Sequence, residues 1–153
     1  MPKTISRDFP LSEITLRRYE KPYDMPRREL VRKVCLSLGL LQPGDSRDVV
    51  VDVFHVLFDA VKEKKVMNAE EIRDEVVQRR KQEQLPLKGI ASSNIRRQLK
   101  RLRELSLVEK VKNEYRVTEF EGIGVLFEEK ISKYYLESIL KRVREYCEQL
   151  KHE

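Results

Sequence analysis

The sequence predicts a mainly α-helical protein with one small β-hairpin, and three observations support this fold class. Apolar residues recur at helical spacing in four stretches before residue 106. Two short β-prone runs follow at 107–111 and 115–118, and a last helical stretch runs from about Glu121 nearly to the end. The length of 153 residues corresponds to about one domain.

The positive charge is concentrated in two parts of the chain. Net charge is +6, and 38% of residues are charged against a usual value of about 25%. Together with the absence of Trp, this composition leans toward the surface of a thermophile's protein. Residues 91–118 carry 8 basic and 3 acidic side chains, and residues 1–44 carry 9 and 5, whereas 45–90 and 119–153 are slightly acidic. This distribution is compatible with a polyanionic partner.

The chain has no features of a membrane or secreted protein. It contains no apolar run long enough to span a bilayer and no signal-peptide pattern. Its cysteines, Cys35 and Cys147, suggest a reducing compartment and no disulfide framework. We therefore expect a cytoplasmic protein without a membrane partner.

Neither a cofactor site nor an active site is predicted. There is no Gly-rich phosphate loop, no nucleophile-elbow serine and no cluster of His and Cys, since His55 and His152 are the two histidines. Asp48 and Asp52 lie four apart on a helix, but helix capping and solvated charge explain them more simply than catalysis. We expect a non-enzymatic protein with no metal and no cofactor.

Residues 1–44 are interpreted as an arm followed by a supporting helix. The arm holds one short possible helix at Leu11 to Tyr19, and Pro26 opens a helix that continues to Gly39. Two roles for the arm stay open. Basic residues could contact phosphate: Arg17, Arg18 and Lys21. Apolar residues could instead strap the arm to the body: Ile14, Leu16 and Tyr19.

The middle of the chain, residues 45–118, is predicted to contain three helices and the hairpin. Asp45 or Ser46 is expected to cap the first, which is apolar around most of its circumference and therefore central. Asn68 and Glu71 form a capping-box pattern at the start of the second, which fades near Arg80. A long polar turn follows.

The third of these helices, near residues 92–105, carries most of the basic residues. Ser92 or Ser93 is expected to cap it. Its apolar positions step by four, three and three: Ile95, Leu99, Leu102 and Leu105. Its other faces carry Ser93, Asn94, Arg96, Arg97, Lys100, Arg101 and Arg103.

The order of helices and hairpin, with the stretch from Ser93 to Val108, resembles the winged helix-turn-helix superfamily and its MarR-like and PadR-like transcription regulators. The resemblance covers 45–118 and implies that the basic helix lies in the major groove of DNA. Two features depart from the usual pattern. Ser106 stands where Gly is often found before the strand, and the wing tip is short.

The residue types on the basic helix suit DNA recognition. Arg can bond guanine and Asn can bond adenine through paired hydrogen bonds. We expect contacts to base edges from Ser93, Asn94 and Arg97. Arg96 lies on the same exposed face. We expect contacts to phosphate from Lys100, Arg101, Lys112 and Arg116.

The C-terminal helix, within residues 119–153, is predicted to form a dimer seam. Heptad spacing places these apolar residues on one stripe: Leu136, Ile139, Val143, Tyr146 and Leu150. Packing on the same chain's helix of Val31 and Leu38 is the alternative. Tyrosines that could line a small-molecule effector cavity near a dimer interface are Tyr134, Tyr135 and Tyr146, although aromatic residues at helical spacing more often belong to the core.

The sequence thus predicts a homodimeric, sequence-specific regulator of transcription that binds double-stranded DNA. The alternative is a winged-helix module of the transcription or replication machinery that binds protein or RNA. The salt dependence of duplex binding distinguishes these two functions.

Overall fold

The structure, a computed structural model, describes residues 7–150 and is mainly helical. Its bounded elements are α1 (Arg27–Ser37), α2 (Val49–Ala60), β1 (Met67–Asn68), α3 (Ala69–Gln82), α4 (Ser92–Glu104), β2 (Val108–Val111) and β3 (Glu114–Val117). A 3-10 turn (Thr118–Phe120) leads into a C-terminal helix made of α5 (Ile123–Leu126), a π-helical segment (Phe127–Leu136) and α6 (Glu137–Gln149). The predicted class, mainly helical with a small antiparallel sheet, is confirmed.

Helix α2 lies at the centre of the fold. Nine of its twelve residues are buried, and it packs against α1, α3 and α4. An apolar surface on nearly every side requires neighbours on nearly every side, because burial of apolar area is the main stabilising contribution. The predicted central helix is therefore observed.

Helix α2 begins later than the expected caps. Its N-cap residue is Asp48, with no side-chain cap, so neither Asp45 nor Ser46 caps it as predicted. The Asp45 carboxylate instead accepts a hydrogen bond from the amide of Arg47 at 2.9 Å within the preceding turn. By contrast, the capping box of Asn68 and Glu71 at the start of α3 is confirmed, with reciprocal bonds of 2.8 and 2.9 Å.

The hairpin is closed by a two-residue loop. Val111 pairs with Glu114, and Lys112 and Asn113 between them both have positive φ, the conformation of a type I′ turn. Strand β1, which the sequence pattern did not predict, pairs Met67 with Tyr115 and gives the sheet order β1-β3-β2.

Residues 12–23 of the N-terminal arm strap the body and are not helical. The predicted helix at Leu11 to Tyr19 is wrong, because the amide of Arg17 bonds to the carbonyl of Ser37 at 2.9 Å rather than within a helix. The Arg17 guanidinium also donates to the carbonyls of Leu36 and Leu41. Ile14 and Tyr19 pack against the core, whereas Leu16 is 44% exposed.

A close approach of the arm explains Gly39. This residue has a φ of +74°, and a Cβ there would lie 2.6 Å from the Cβ of Thr15. Only glycine combines this backbone conformation with this contact.

A buried ionic network joins α1, α2 and α3. The guanidinium of Arg80, whose side chain is 2% exposed, donates to Asp48 and Asp52, and Arg28 donates to the same two carboxylates. Burial raises the pKa of Asp48, but hydrogen bonds from Arg80 and Arg28 outweigh it and hold the pKa below its usual range. Solvated charge is therefore the wrong explanation for Asp52, which is 3% exposed.

The C-terminal helix packs on the body only in its first part. Leu126 and Ile131 are buried, and Ile123 and Phe127 pack against the core. Helix α6 has no buried residue. No helix within residues 7–150 is long and apolar enough to cross a bilayer.

Candidate nucleic-acid interface

Helix α4 presents an apolar side to the core and a basic side to solvent. Ile95, Leu99 and Leu102 are fully buried and Leu105 is half-buried, so the predicted apolar stripe is observed. The opposite side exposes Ser93, Arg96, Arg97, Lys100 and Arg103. The helix begins at Ser92, and its N-cap residue is Ala91, so neither predicted serine caps it.

Several cations of α4 lack an ionic partner, whereas many arginines of the other helices have one. Within the described chain, no salt bridge involves Arg97, Lys100, Arg101 or Arg103. The residues that do form salt bridges on other helices include Arg27, Arg28, Arg79, Arg80, Arg142 and Arg144. Unneutralised cations aligned along one helix produce a local positive field.

Asn94 is used inside the protein. Its amide nitrogen donates to the carbonyl of Gly89 at 2.7 Å, and its amide oxygen accepts from Arg97 at 2.9 Å and from Gln98 at 3.0 Å. Asn94 is half-buried, while Arg97, which donates to it, is exposed. Asn94 thus orients Arg97 and fixes the start of α4, and a contact with a base would require it to release these bonds.

The long turn between α3 and α4 is held by its carbonyl groups. Arg80 donates to the carbonyl of Pro86 at 2.7 Å, Arg73 to that of Ile90 at 2.7 Å, and Asn94 to that of Gly89. These backbone carbonyls have no partner in a helix or strand, so side-chain donors satisfy them. These bonds fix where α4 begins relative to α3.

Arg101 belongs partly to the scaffold. It is half-buried, and it donates to Gln98 at 2.8 Å and to the carbonyl of Gly39 at 3.3 Å. This contact joins α4 to the turn after α1. Lys100, its neighbour, stays exposed.

The two predicted phosphate-contacting residues of the hairpin differ in their surroundings. Lys112 is exposed in the loop, whereas Arg116 is bonded to Glu109 at 2.6 Å and stacked on Phe120 at 4.9 Å. Arg116 and Glu109 are directly paired across the strands, so they share one face of the hairpin.

Lys110, which the sequence reasoning missed, lies on the other face. It pairs with Tyr115, which is buried, and its ammonium lies 5.6 Å from the centre of that ring. Alternation in β2 was the available signal, because Lys110 is two residues after the buried Val108 and therefore on the face toward the helices.

The predicted dimer stripe is progressively exposed along the C-terminal helix. Leu136 and Ile139 are half-buried, while Val143, Tyr146 and Leu150 are 54%, 70% and 79% exposed. The beginning of this helix packs against the core of the same chain, whereas Val143, Tyr146 and Leu150 are left largely uncovered by residues 7–150.

The three tyrosines do not converge on one cavity. The hydroxyl of Tyr135 donates to the carbonyl of Glu13 at 2.9 Å, which ties the arm to the π-helical segment. Tyr134 and Tyr146 are 75% and 70% exposed. Within one copy of residues 7–150 the three tyrosines therefore share no cavity, and an effector cavity near a dimer interface stays a prediction.

Residues 7–150 contain no group of three His, Cys, Asp or Glu side chains arranged to hold a metal. Comparisons of the chain with models of protein families, with curated proteins and with solved structures gave no match. The resemblance to winged helix-turn-helix regulators thus rests on the sequence pattern and on the order of the elements.

Proposed function

We propose that residues 45–118 form a winged helix-turn-helix domain that binds double-stranded DNA sequence-specifically and regulates transcription. The observation that carries this proposal is a set of exposed cations on α4 that form no salt bridge within residues 7–150: Arg97, Lys100 and Arg103. Polyanion binding gains free energy from such cations through release of counterions.

The order α2, α3, turn, α4 and hairpin supports this fold assignment, because it places an exposed basic helix after a helix that braces it. In the proposed complex α4 lies in the major groove. Arg97 and Ser93 contact base edges at its N-terminal end, and Arg96 lies beside them. Lys100 and Lys112 contact phosphate.

The structure modifies three assignments within this proposal. Asn94 acts first as a positioning residue for Arg97, since both ends of its amide are bonded within the chain. The side chains of Arg101 and Arg116 are already held by hydrogen bonds within the chain, so they can contact phosphate only from these fixed positions. They contribute mainly to the positive potential of the surface, and they do not act as mobile side chains that reach out to phosphate.

We further propose that α6 joins two copies into a homodimer. Its apolar stripe is exposed, and burying it against a second copy removes apolar area from water. Two α4 helices in such a dimer would read half-sites about 34 Å apart, one turn of DNA.

Fluorescence anisotropy with labelled duplexes tests the DNA-binding proposal. Wild type should lose affinity steeply between about 50 and 200 mM salt, and the double variant Arg96→Glu, Arg97→Glu should lose duplex binding. The matched control reverses two exposed lysines beyond α2, Lys62→Glu and Lys65→Glu, which changes net charge equally. Circular dichroism verifies folding of both variants.

Equal binding by the two double variants would refute the assignment of α4 as the reading helix. Little duplex binding by wild type even at low salt would favour the protein-docking module instead.

A further inference from the structure

A groove lies between the first turns of α4 and the hairpin, beside the start of α3. Its volume is about 310 Å³, and its polar and charged lining includes Asn68, Glu70, Arg96, Lys110 and Asn113. We call this the α4–hairpin groove. No residue of it except Arg96 belongs to the DNA contacts expected from the sequence.

Two cations and one carboxylate meet in this groove. Glu70 lies 3.5 Å from the guanidinium of Arg96 and accepts a hydrogen bond from the hydroxyl of Ser92 at 3.0 Å. Lys110 is on the hairpin face that looks toward the helices, and within residues 7–150 it forms no salt bridge. The groove therefore keeps one positive charge that Glu70 does not balance.

The Glu70–Arg96 pair is easily opened. The side chains are 57% and 55% exposed, and ion pairs in such surroundings are weak because water screens them. A phosphodiester oxygen can take the place of the carboxylate on Arg96, since guanidinium binds both groups in the same geometry.

The groove also lies where a phosphate would pass. A helix of about 10–12 Å diameter fills a major groove about 12 Å wide, so the sugar-phosphate strands run along the two flanks of the helix. The α4–hairpin groove is one flank of α4.

We propose that the α4–hairpin groove is a phosphodiester-binding site formed by Arg96 and Lys110, and that Glu70 occupies it in the free protein as an internal competitor. This inference rests on the proposed function and deepens it. Glu70 then lowers affinity for all duplexes alike, so that binding depends more strongly on the contacts that read bases.

Duplex anisotropy and side-chain NMR together test the site. Glu70→Gln should raise affinity for duplex DNA about 3- to 10-fold, the range expected for one unit charge about 6 Å from a phosphate in a high-dielectric setting. It should also steepen the logarithmic salt dependence by up to about 0.9. The control Glu128→Gln makes the same charge change on the C-terminal helix, where the residue is exposed.

Lys110→Gln should act in the opposite sense, with weaker binding and a salt dependence shallower by about 0.9. Equal duplex affinities for Glu70→Gln and Glu128→Gln, with wild type binding duplex, would overturn the role of Glu70 and leave the assignment of α4 intact.

Inorganic phosphate gives a readout that does not require duplex binding. Titration into Glu70→Gln should shift the NMR signals of the Arg96 Nε–H and the Lys110 ammonium, and the shifts should be smaller in Glu128→Gln. Signals that stay unmoved in Glu70→Gln would refute the groove as an anion site, whatever the outcome with DNA.

Discussion

Replacing Arg80 by Met removes the most deeply buried guanidinium of the described chain. Arg80 donates to Asp48, Asp52 and the carbonyl of Pro86, and its side chain is 2% exposed. Methionine retains much of the apolar stem but leaves three acceptors with fewer donors. The variant therefore isolates the electrostatic part of the site.

The expected loss in the free energy of unfolding is about 3 kcal/mol. Removing one partner of a buried ion pair costs about 3–5 kcal/mol, and the lower end applies here because Arg28 still donates to both carboxylates. For a chain of this size the loss corresponds to a decrease of roughly 6–12 °C in Tm. Urea unfolding and calorimetry measure the two quantities.

The destabilisation should depend on pH. The folded pKa of Asp48 lies below its unfolded value, so its contribution is present above the unfolded pKa and is lost as pH falls through the folded pKa. The difference between wild type and Arg80→Met should be largest near neutral pH and shrink below about pH 4. Arg18→Met, at an exposed position of the arm, is the control. A loss below about 1 kcal/mol at pH 7 would refute this account.

Two further outcomes concern the ends of the helical body. Val143→Glu should convert a dimer to a monomer in light scattering, because it places charge on the exposed α6 stripe, and a wild-type monomer would contradict the dimer proposal. At pH 8 a thiol reagent should modify Cys147, which is exposed, and spare Cys35 in the folded protein, because burial raises the pKa of that thiol to about 12. Equal rates would contradict the burial of Cys35.

The periodicity of apolar residues predicted the helices, because the buried face of a helix is determined by the spacing of residues close together in the sequence. The stripe of Ile95, Leu99 and Leu102 is buried, and the capping box of Asn68 and Glu71 needs residues only three apart. Such features depend on neighbours along the chain, so one sequence suffices to find them.

Features that depend on distant partners were missed. Strand β1 has two residues and exists through its pairing with β3, and the arm is extended because its backbone bonds to the last residue of α1. The burial of Arg80 was not predicted, because it lies among other charged residues. Its spacing of four from Val76 and eight from Ile72 nevertheless places it on their buried face.

The sequence predicted which face of α4 is exposed, but not the contacts that individual side chains of the candidate interface make. Local spacing placed Arg96, Arg97 and Lys100 on an exposed face, and the structure agrees. It did not indicate that Asn94 is bonded to the turn before α4, since that bond depends on a tertiary contact. The position of Lys110 was missed although alternation along β2 indicates it.

Selection of duplexes from a random pool tests the central proposal most directly. Wild-type protein should enrich one sequence motif arranged as an inverted repeat, with half-site centres about one helical turn apart, because two α4 helices read the DNA symmetrically. Arg97→Glu should enrich no motif. A wild-type pool that remains random after repeated rounds would contradict sequence-specific DNA binding by this protein.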